Sequence, residues 1–265
     1  MYKIIKNSWA LFTGFTIIII SHGFQGNLLG IRSVLEAISE GKTINKVLVQ
    51  QGAKGDLFGE LMDTLKREKI VFQRVPIQKL NHMVKKNHQG VIAMISPLPY
   101  HELDHIIQEI YESGKDPFVL MLDRVKDVRN FGAICRTAEC FGVNAIVIPS
   151  KESALITNDA IKTSAGALYK IPVCKVYNLQ WASEFLQGSG LHIFSISEKG
   201  EKSIYEYKFS GPKALIMGSE EDGISKNLLQ LSNQVFKVPM KGTIDSLNVS
   251  VATAIALYEM GRTIN

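Results

Sequence analysis

Five polar side chains in three short runs have the types and spacing to do chemistry. Asn130 and Arg136 lie in VRNFGAICRTAECFG at 128–142, Glu220 in IMGSEEDGIS at 216–225, and Ser246 and Asn248 in FKVPMKGTIDSLNVSVATAIALYE at 236–259. An arginine carries a planar fork that grips a phosphate, and Asn130 at the start of the same helix would orient its neighbours. Glu220, Glu221 and Asp222 sit between Gly218 and Gly223. Three carboxylates repel a phosphate, so this loop suits a ligand with ribose hydroxyls or a positive centre. No Lys-Ser or Lys-Thr pair follows, so it is no P-loop. In the last run Ser246, Asn248 and Ser250 alternate with Leu247, Val249 and Val251 before the small residues Ala252, Thr253 and Ala254. A helix is expected to open at Ser246, capped by its hydroxyl, and the small residues would let another backbone approach closely. Each run alone has an ordinary reading: an exposed arginine, an acidic turn, a capped core helix. What lifts them is that all three fall where a strand is expected to turn into a helix.

The elements that must position these residues follow from apolar patterning. From Pro117 onward, strands are expected at 118–123, 145–149, 171–177, 191–197, 213–218 and 235–240. Helices are expected at 130–141, 157–168 and 179–187, with a short one after Ser225 and the last from Ser246. Apolar strands alternating with helices imply a parallel sheet covered on both faces, and such sheets place ligands at the carboxyl ends of their strands. Residues 27–96 read as a smaller α/β unit of order αβαβαβ, with helices at 30–38, 57–69 and 77–86 and strands at 46–50, 70–76 and 90–96. Its Lys85-Lys86-Asn87-His88-Gln89-Gly90 loop is polar and basic, suited to a phosphate backbone or unpaired bases, or else a solvated turn. Residues 97–116, with Pro97, Pro99 and an amphipathic helix, read as a linker between domains.

Residues 1–26 stand apart. Lys3 and Lys6 precede the apolar run WALFTGFTIIII at 9–20, which is short for a membrane span and resembles a signal peptide. We read the segment as an extra N-terminal stretch upstream of a mis-assigned start, since nothing later in the chain needs it.

Composition sets outer bounds. The chain has 265 residues, 46% hydrophobic and 21% charged, which suits one large or two small globular domains. A net charge of +5 and a pI near 9.0 favour a polyanionic partner, though weakly. Cys135, Cys140 and Cys174 lack C-x-x-C spacing and are odd in number, which argues against a disulfide framework or a zinc site and for a reducing, cytoplasmic setting. No H-E-x-x-H, G-x-S-x-G or dinucleotide G-x-G-x-x-G signature occurs, which disfavours a metalloprotease, a hydrolase triad and a Rossmann dehydrogenase.

Taken in order, N-F-G-A-x-x-R-T-A, G-S-E-x-x-G and S-L-N-V-S-V-A closely resemble the motifs of the SpoU/TrmH superfamily of RNA ribose 2′-O-methyltransferases. The resemblance covers about residues 27–265, and the front unit is similar to the RNA-binding domain of the ribosomal-RNA guanosine methyltransferase branch. It implies a SPOUT-type catalytic half at 117–265 with a deep trefoil knot, a rare feature, preceded by a small α/β RNA-binding domain at 27–96. It implies S-adenosyl-L-methionine held around Ile196, Gly218, Val238, Met240 and Leu247, no metal, and an active site of Asn130, Arg136, Glu220, Ser246 and Asn248. It also implies a homodimer acting on RNA, a guanosine of 23S rRNA first and transfer RNA as the alternative. Two other classes remain: a non-catalytic RNA-binding module, and a nucleotide-dependent metabolic enzyme that the missing phosphate loop disfavours.

Overall fold

The structure is a computed structural model that describes residues 26–243 and 246–262. The extra segment read at 1–26 lies almost entirely outside the described residues. Two sheets divide the rest. The first has four strands in the order β1-β4-β2-β3. These are β1 (Asn27–Leu29), β2 (Ile44–Gln50), β3 (Phe72–Val75) and β4 (Val91–Ile95), with helices α1 (Ile31–Ser39), α2 (Asp56–Arg67) and α3 (Ile77–Met83) between them. β4 runs antiparallel to both β1 and β2, while β2 and β3 are parallel. Strand alternation sends Val47 and Val49 to one face, against Val34 of α1 and Leu61 and Leu65 of α2. Leu48 goes to the other face, against Leu80 of α3. The three-residue β1 has too little pattern to be seen in sequence.

The second sheet is parallel throughout, in the order β7-β6-β5-β10-β8-β11-β9. Its strands are β5 (Phe118–Leu122), β6 (Ala145–Pro149), β7 (Val173–Val176), β8 (His192–Ile196), β9 (Lys202–Ser203), β10 (Lys213–Met217) and β11 (Gln234–Lys237). Every residue of β5 and β10 is buried, as expected of central strands covered on both faces. One face packs on α5 (Val128–Cys140) and α9 (Val249–Arg262). The other packs on α4 (Leu103–Glu112), α7 (Leu179–Gly188) and α8 (Lys226–Leu231). Leu103, Ile106 and Ile107 bury α4 against this sheet, so the linker helix is part of the second unit's core.

Some boundaries differ from the pattern reading, for local reasons. The helix expected over 157–168 stops as α6 at Asn158–Thr163, then resumes as a 3-10 turn at Ala167–Tyr169. Between them Ala165 and Gly166 take positive φ. The helix expected from Asn130 begins at Val128, because Asp127 accepts the Asn130 backbone N–H at 2.8 Å and caps it. Gly132 lets α5 touch α6: an added Cβ would lie 2.8 Å from the Ala160 carbonyl oxygen and 2.7 Å from the Thr163 Cβ.

The two units are clasped by a polar contact at the β7 edge. His101 N–H donates to Val173 O at 3.0 Å, extending the edge of β7. Buried Asn45 donates from Nδ2 to Ile156 O at 2.9 Å and accepts the Tyr100 hydroxyl at 2.5 Å. Lys175 Nζ donates to Asn45 O at 3.0 Å and stands 4.7 Å from the centre of the Tyr100 ring. Burial pushes the Lys175 amine down to about 8 and the Tyr100 hydroxyl up to about 12.

Candidate active site

In the second sheet β5 is followed in sequence by its neighbour on one side, while β10 lies on its other side. The β5–β10 boundary is therefore the switch point where open α/β sheets open a crevice. The carboxyl end of β5 delivers Asp123 and Arg124, and that of β10 delivers Gly218 to Gly223. Asp123 N–H donates to Met217 O at 2.8 Å, which carries the sheet ladder up to the crevice.

The acidic run folds into a tight turn. Ser219 and Gly223 exchange backbone hydrogen bonds at 3.1 Å, and Asp222 N–H donates to Ser219 Oγ at 3.1 Å. Gly223 has φ +64, and Gly218 has no room for a side chain because the backbone of Gly223 and Ile224 fills that space. Arg124 clamps the turn: its guanidinium donates to Asp222 at 2.9 Å and to Gly223 O at 3.1 Å, and it contacts Asp123 at 3.3 Å. Its hydrogen bond with Asp123 raises its pKa, against the effect of burial and with help from the charges of Asp123, Asp222 and Glu152. Asp123, 6% exposed, also accepts the Ser225 N–H at 2.7 Å. Arg124 does this with φ +59, a left-handed conformation that non-glycine residues avoid and that collects at functional sites. The sequence reading missed this clamp, since the run LDR at a strand end carries no sign of its backbone angle.

The three motifs meet above this turn. Asn130 Nδ2 donates to Glu220 Oε1 at 2.6 Å, and Asn248 Nδ2 donates to the same oxygen at 2.7 Å and to Asn130 Oδ1 at 3.2 Å. The Asn248 amide oxygen accepts from both N–H and hydroxyl of Ser250, at 2.9 Å and 2.5 Å. This corrects the expected cap: α9 begins at Val249 rather than Ser246, and Asn248 caps it, its carbonyl accepting Ala252 N–H at 2.9 Å. Ser246 is exposed just ahead of the helix and outside the hydrogen-bonded cluster. Arg136 is exposed on α5 and, among the described residues, makes no hydrogen bond or ion pair. It lies six residues beyond Asn130, about 9 Å further along the axis and about 120° round it, so it faces away from the cluster of its own chain.

Beside the cluster a cavity of about 180 Å³ is lined by Arg124, Lys126, Asp127, Asn130, Glu220 and Val249, among others. That is below the roughly 300–1,000 Å³ of sites that enclose a cofactor-sized ligand. None of the five residues expected around a cofactor lines this cavity. Ile196 ends β8, Gly218 follows β10 and Val238 follows β11, three neighbouring parallel strands whose carboxyl ends share one edge. Ile196 and Val238 are half-buried against the core, while Met240 and Leu247 leave 42% and 37% of their surface exposed. An apolar wall at neighbouring strand ends and an acidic turn fit a ligand with an apolar body and a positive centre. Among the described residues no group of three or more His, Cys, Asp or Glu could hold a metal ion.

Comparisons with known proteins agree with this geometry. The family model of the SpoU rRNA Methylase family matches residues 117–258, and that for RNA 2′-O ribose methyltransferase substrate binding matches residues 28–101. A Staphylococcus aureus protein assigned to the TrmH family of tRNA/rRNA methyltransferases is 34% identical over 235 residues, covering 89% of this chain and 95% of the relative. Among solved structures, the SpoU methyltransferase AviRb from Streptomyces viridochromogenes in complex with AdoMet aligns over 90% of each chain, with TM-score 0.57 and 20% identity. The AdoMet-bound rRNA methyltransferase from Sinorhizobium meliloti aligns over 91% of this chain and 88% of its own, with TM-score 0.57 and 20% identity. At that identity these structures speak for the fold alone. With its matched catalytic half, its matched substrate-binding unit and a full-length relative, the chain belongs to the SpoU rRNA methylase family of RNA 2′-O-ribose methyltransferases.

Proposed function

We propose that this protein transfers a methyl group from S-adenosylmethionine to a ribose 2′-hydroxyl of RNA, with a guanosine of 23S rRNA as its target. The observation that carries the reading is the convergence of the Asn130 and Asn248 amides on one carboxylate oxygen of Glu220 at the switch point of the sheet. Ile196, Gly218, Val238, Met240 and Leu247 would hold the donor, and a C-terminal segment threaded as a trefoil knot would bring their loops together. When bound, the donor supplies a methyl already activated by a positive sulfur. The chain's task is then to align a weak nucleophile and ease the loss of one proton.

The carboxylate of Glu220 orients both amides and adds negative charge beside the donor's positive centre. Asn130 keeps one N–H and one lone pair for a sugar, whereas the Asn248 amide is fully engaged by Glu220, Asn130 and Ser250 and acts by holding Asn130 in place. Ser246 would add a hydroxyl. Arg136 holds an RNA phosphate and stabilises the charge that develops as the hydroxyl loses its proton. Because Arg136 faces away from the cluster of its own chain, a homodimer in which each subunit lends its arginine to the other's cluster completes the site. The thiols suit a cytoplasmic enzyme: Cys135 and Cys174 are buried and Cys140 is exposed, all unpaired. No helix among the described residues is long and apolar enough to cross a membrane.

The test is transfer of labelled methyl from S-adenosylmethionine to purified ribosomal and transfer RNA, followed by mapping of ribose methylation. Label on 23S rRNA guanosine is expected. Label on transfer RNA alone would reassign the substrate, and no transfer to either would defeat the enzymatic reading. Arg136→Lys keeps the charge but loses the planar fork, and most turnover should go with it. Near-normal methylation by that variant would remove Arg136 from the site.

A further inference from the structure

The first unit holds a second polar cleft, far in sequence from the methyl-transfer cluster. Its volume is about 650 Å³, and it lies among α3, the end of β2 and the Lys85–Gly90 loop. Four carboxamides line it, from Gln50, Asn81, Asn87 and Gln89, together with Lys85 and Lys86, over an apolar floor of Ile77 and Val84. No carboxylate is among the lining residues. We propose that this cleft binds an unpaired nucleotide of the RNA substrate, with the carboxamides reading the base edge and Lys85 holding its phosphate. The proposal rests on the reading of the protein as an RNA methyltransferase.

The loop is built as a fixed template. His88 is 6% exposed, and its Nδ1 accepts the Gly90 N–H at 3.1 Å, so that nitrogen carries no proton. Its Nε2 then donates to Asn81 Oδ1 at 2.8 Å, which fixes the ring and commits the Asn81 oxygen to the loop. Gln89 N–H donates to Asn87 Oδ1 at 3.1 Å, and Gln50 N–H donates to Gly90 O at 2.7 Å. Gly90, with φ +76, has no space for a side chain: an added Cβ would stand 2.8 Å from Gln50 Oε1.

Gln89 is the telling residue. Its φ is +48, a left-handed backbone that glycine adopts freely and glutamine does not. Its side chain is exposed, lines the cleft and, among the described residues, makes no hydrogen bond, as is also true of the half-buried Gln50 amide. A strained position whose long amide packs its oxygen against Gly30 yet makes no hydrogen bond among the described residues is explained by a ligand that uses the amide. Carboxamides carry a donor and an acceptor side by side, the complement of a nucleobase edge, and such edges are free only where bases are unpaired. The absence of carboxylates and the presence of lysines fit the flanking phosphates.

The test uses the full chain and a mixed-sequence single-stranded RNA of about twelve nucleotides, with its duplex as control, in fluorescence anisotropy, alongside methylation of 23S rRNA. Gln89→Gly removes the amide and also relieves the backbone strain. Weakening of single-strand binding by about tenfold, with an unchanged or raised Tm, is expected. Lys85→Ala should reduce the salt slope of binding by about one. Both variants should raise the KM for 23S rRNA, while kcat at saturating RNA and donor binding by calorimetry stay within about twofold of wild type. Unchanged binding in Gln89→Gly, no binding of the single strand by wild type, or tighter binding of the duplex would each overturn the proposal. Lost RNA binding in the variants without methyl transfer by the wild type would sink the enzymatic reading and leave the cleft. Wild-type methyl transfer with unaltered binding in both variants would do the reverse.

Discussion

Lys175 makes the clasp between the two units measurable. Its ammonium sits at the β7 edge, bonded to Asn45 O and placed against the Tyr100 ring, and burial pushes its pKa from 10.5 down to about 8. The unfolded chain therefore holds a proton on this residue between about pH 8 and 10.5 that the folded chain has released. Stability thus rises with pH across that window. Below the folded value the cost of burying the charge is fully present, about 3 kcal/mol for a gap of this size. Lys175→Met removes that cost and forfeits a hydrogen bond and a cation–π contact, each worth about 1 kcal/mol. The variant should be as stable as wild type or about 1 kcal/mol more so near pH 7, and less stable near pH 10. The quantity to measure is the difference in urea-unfolding free energy between the two proteins from about pH 7.5 to about pH 10. It should swing by about 2 kcal/mol in favour of wild type. Parallel pH profiles for the two proteins would refute the reasoning, because they would mean that the lysine keeps its solution affinity for protons inside the clasp.

Two further outcomes follow from the crevice. Gly218→Ala places a methyl on the backbone of Gly223 and Ile224, which cannot yield as a flexible side chain would, so donor binding by calorimetry should be lost and Tm should fall by several degrees. Retained donor affinity would take Gly218 out of the cofactor wall. Arg124→Ala frees the acidic turn from its clamp, and donor affinity should fall about five- to tenfold with kcat less affected. Asp222→Ala should cost nearly as much, and the double variant little more, since both remove one contact at 2.9 Å. Additive losses would show that the two residues act independently.

Much of this architecture was legible because the signals are local. The strands of the second sheet read as apolar runs since burial on both faces asks for nothing else, and the helices showed their period. Errors gathered where local pattern is thin. The three-residue β1 and two-residue β9 bury too little to leave a trace. At the last helix Ser246 and Asn248 are both good caps. Asn248 takes the role because its Nδ2 is held by Glu220 and Asn130, which leaves its oxygen for the Ser250 N–H.

Residue types and their spacing alone determined the two units, the parallel sheet and the three runs of polar residues. Tertiary structure alone decided that Glu220 meets an asparagine 90 residues earlier and another 28 residues later, and that Arg136 does not join them. It also decided that Arg124 bends into a left-handed conformation to hold the turn. The reason is physical. Periodicity reports which face of an element is buried, but which strand lies beside which is settled by packing the whole chain at once. A cluster at the β5–β10 boundary exists only after that pairing is made.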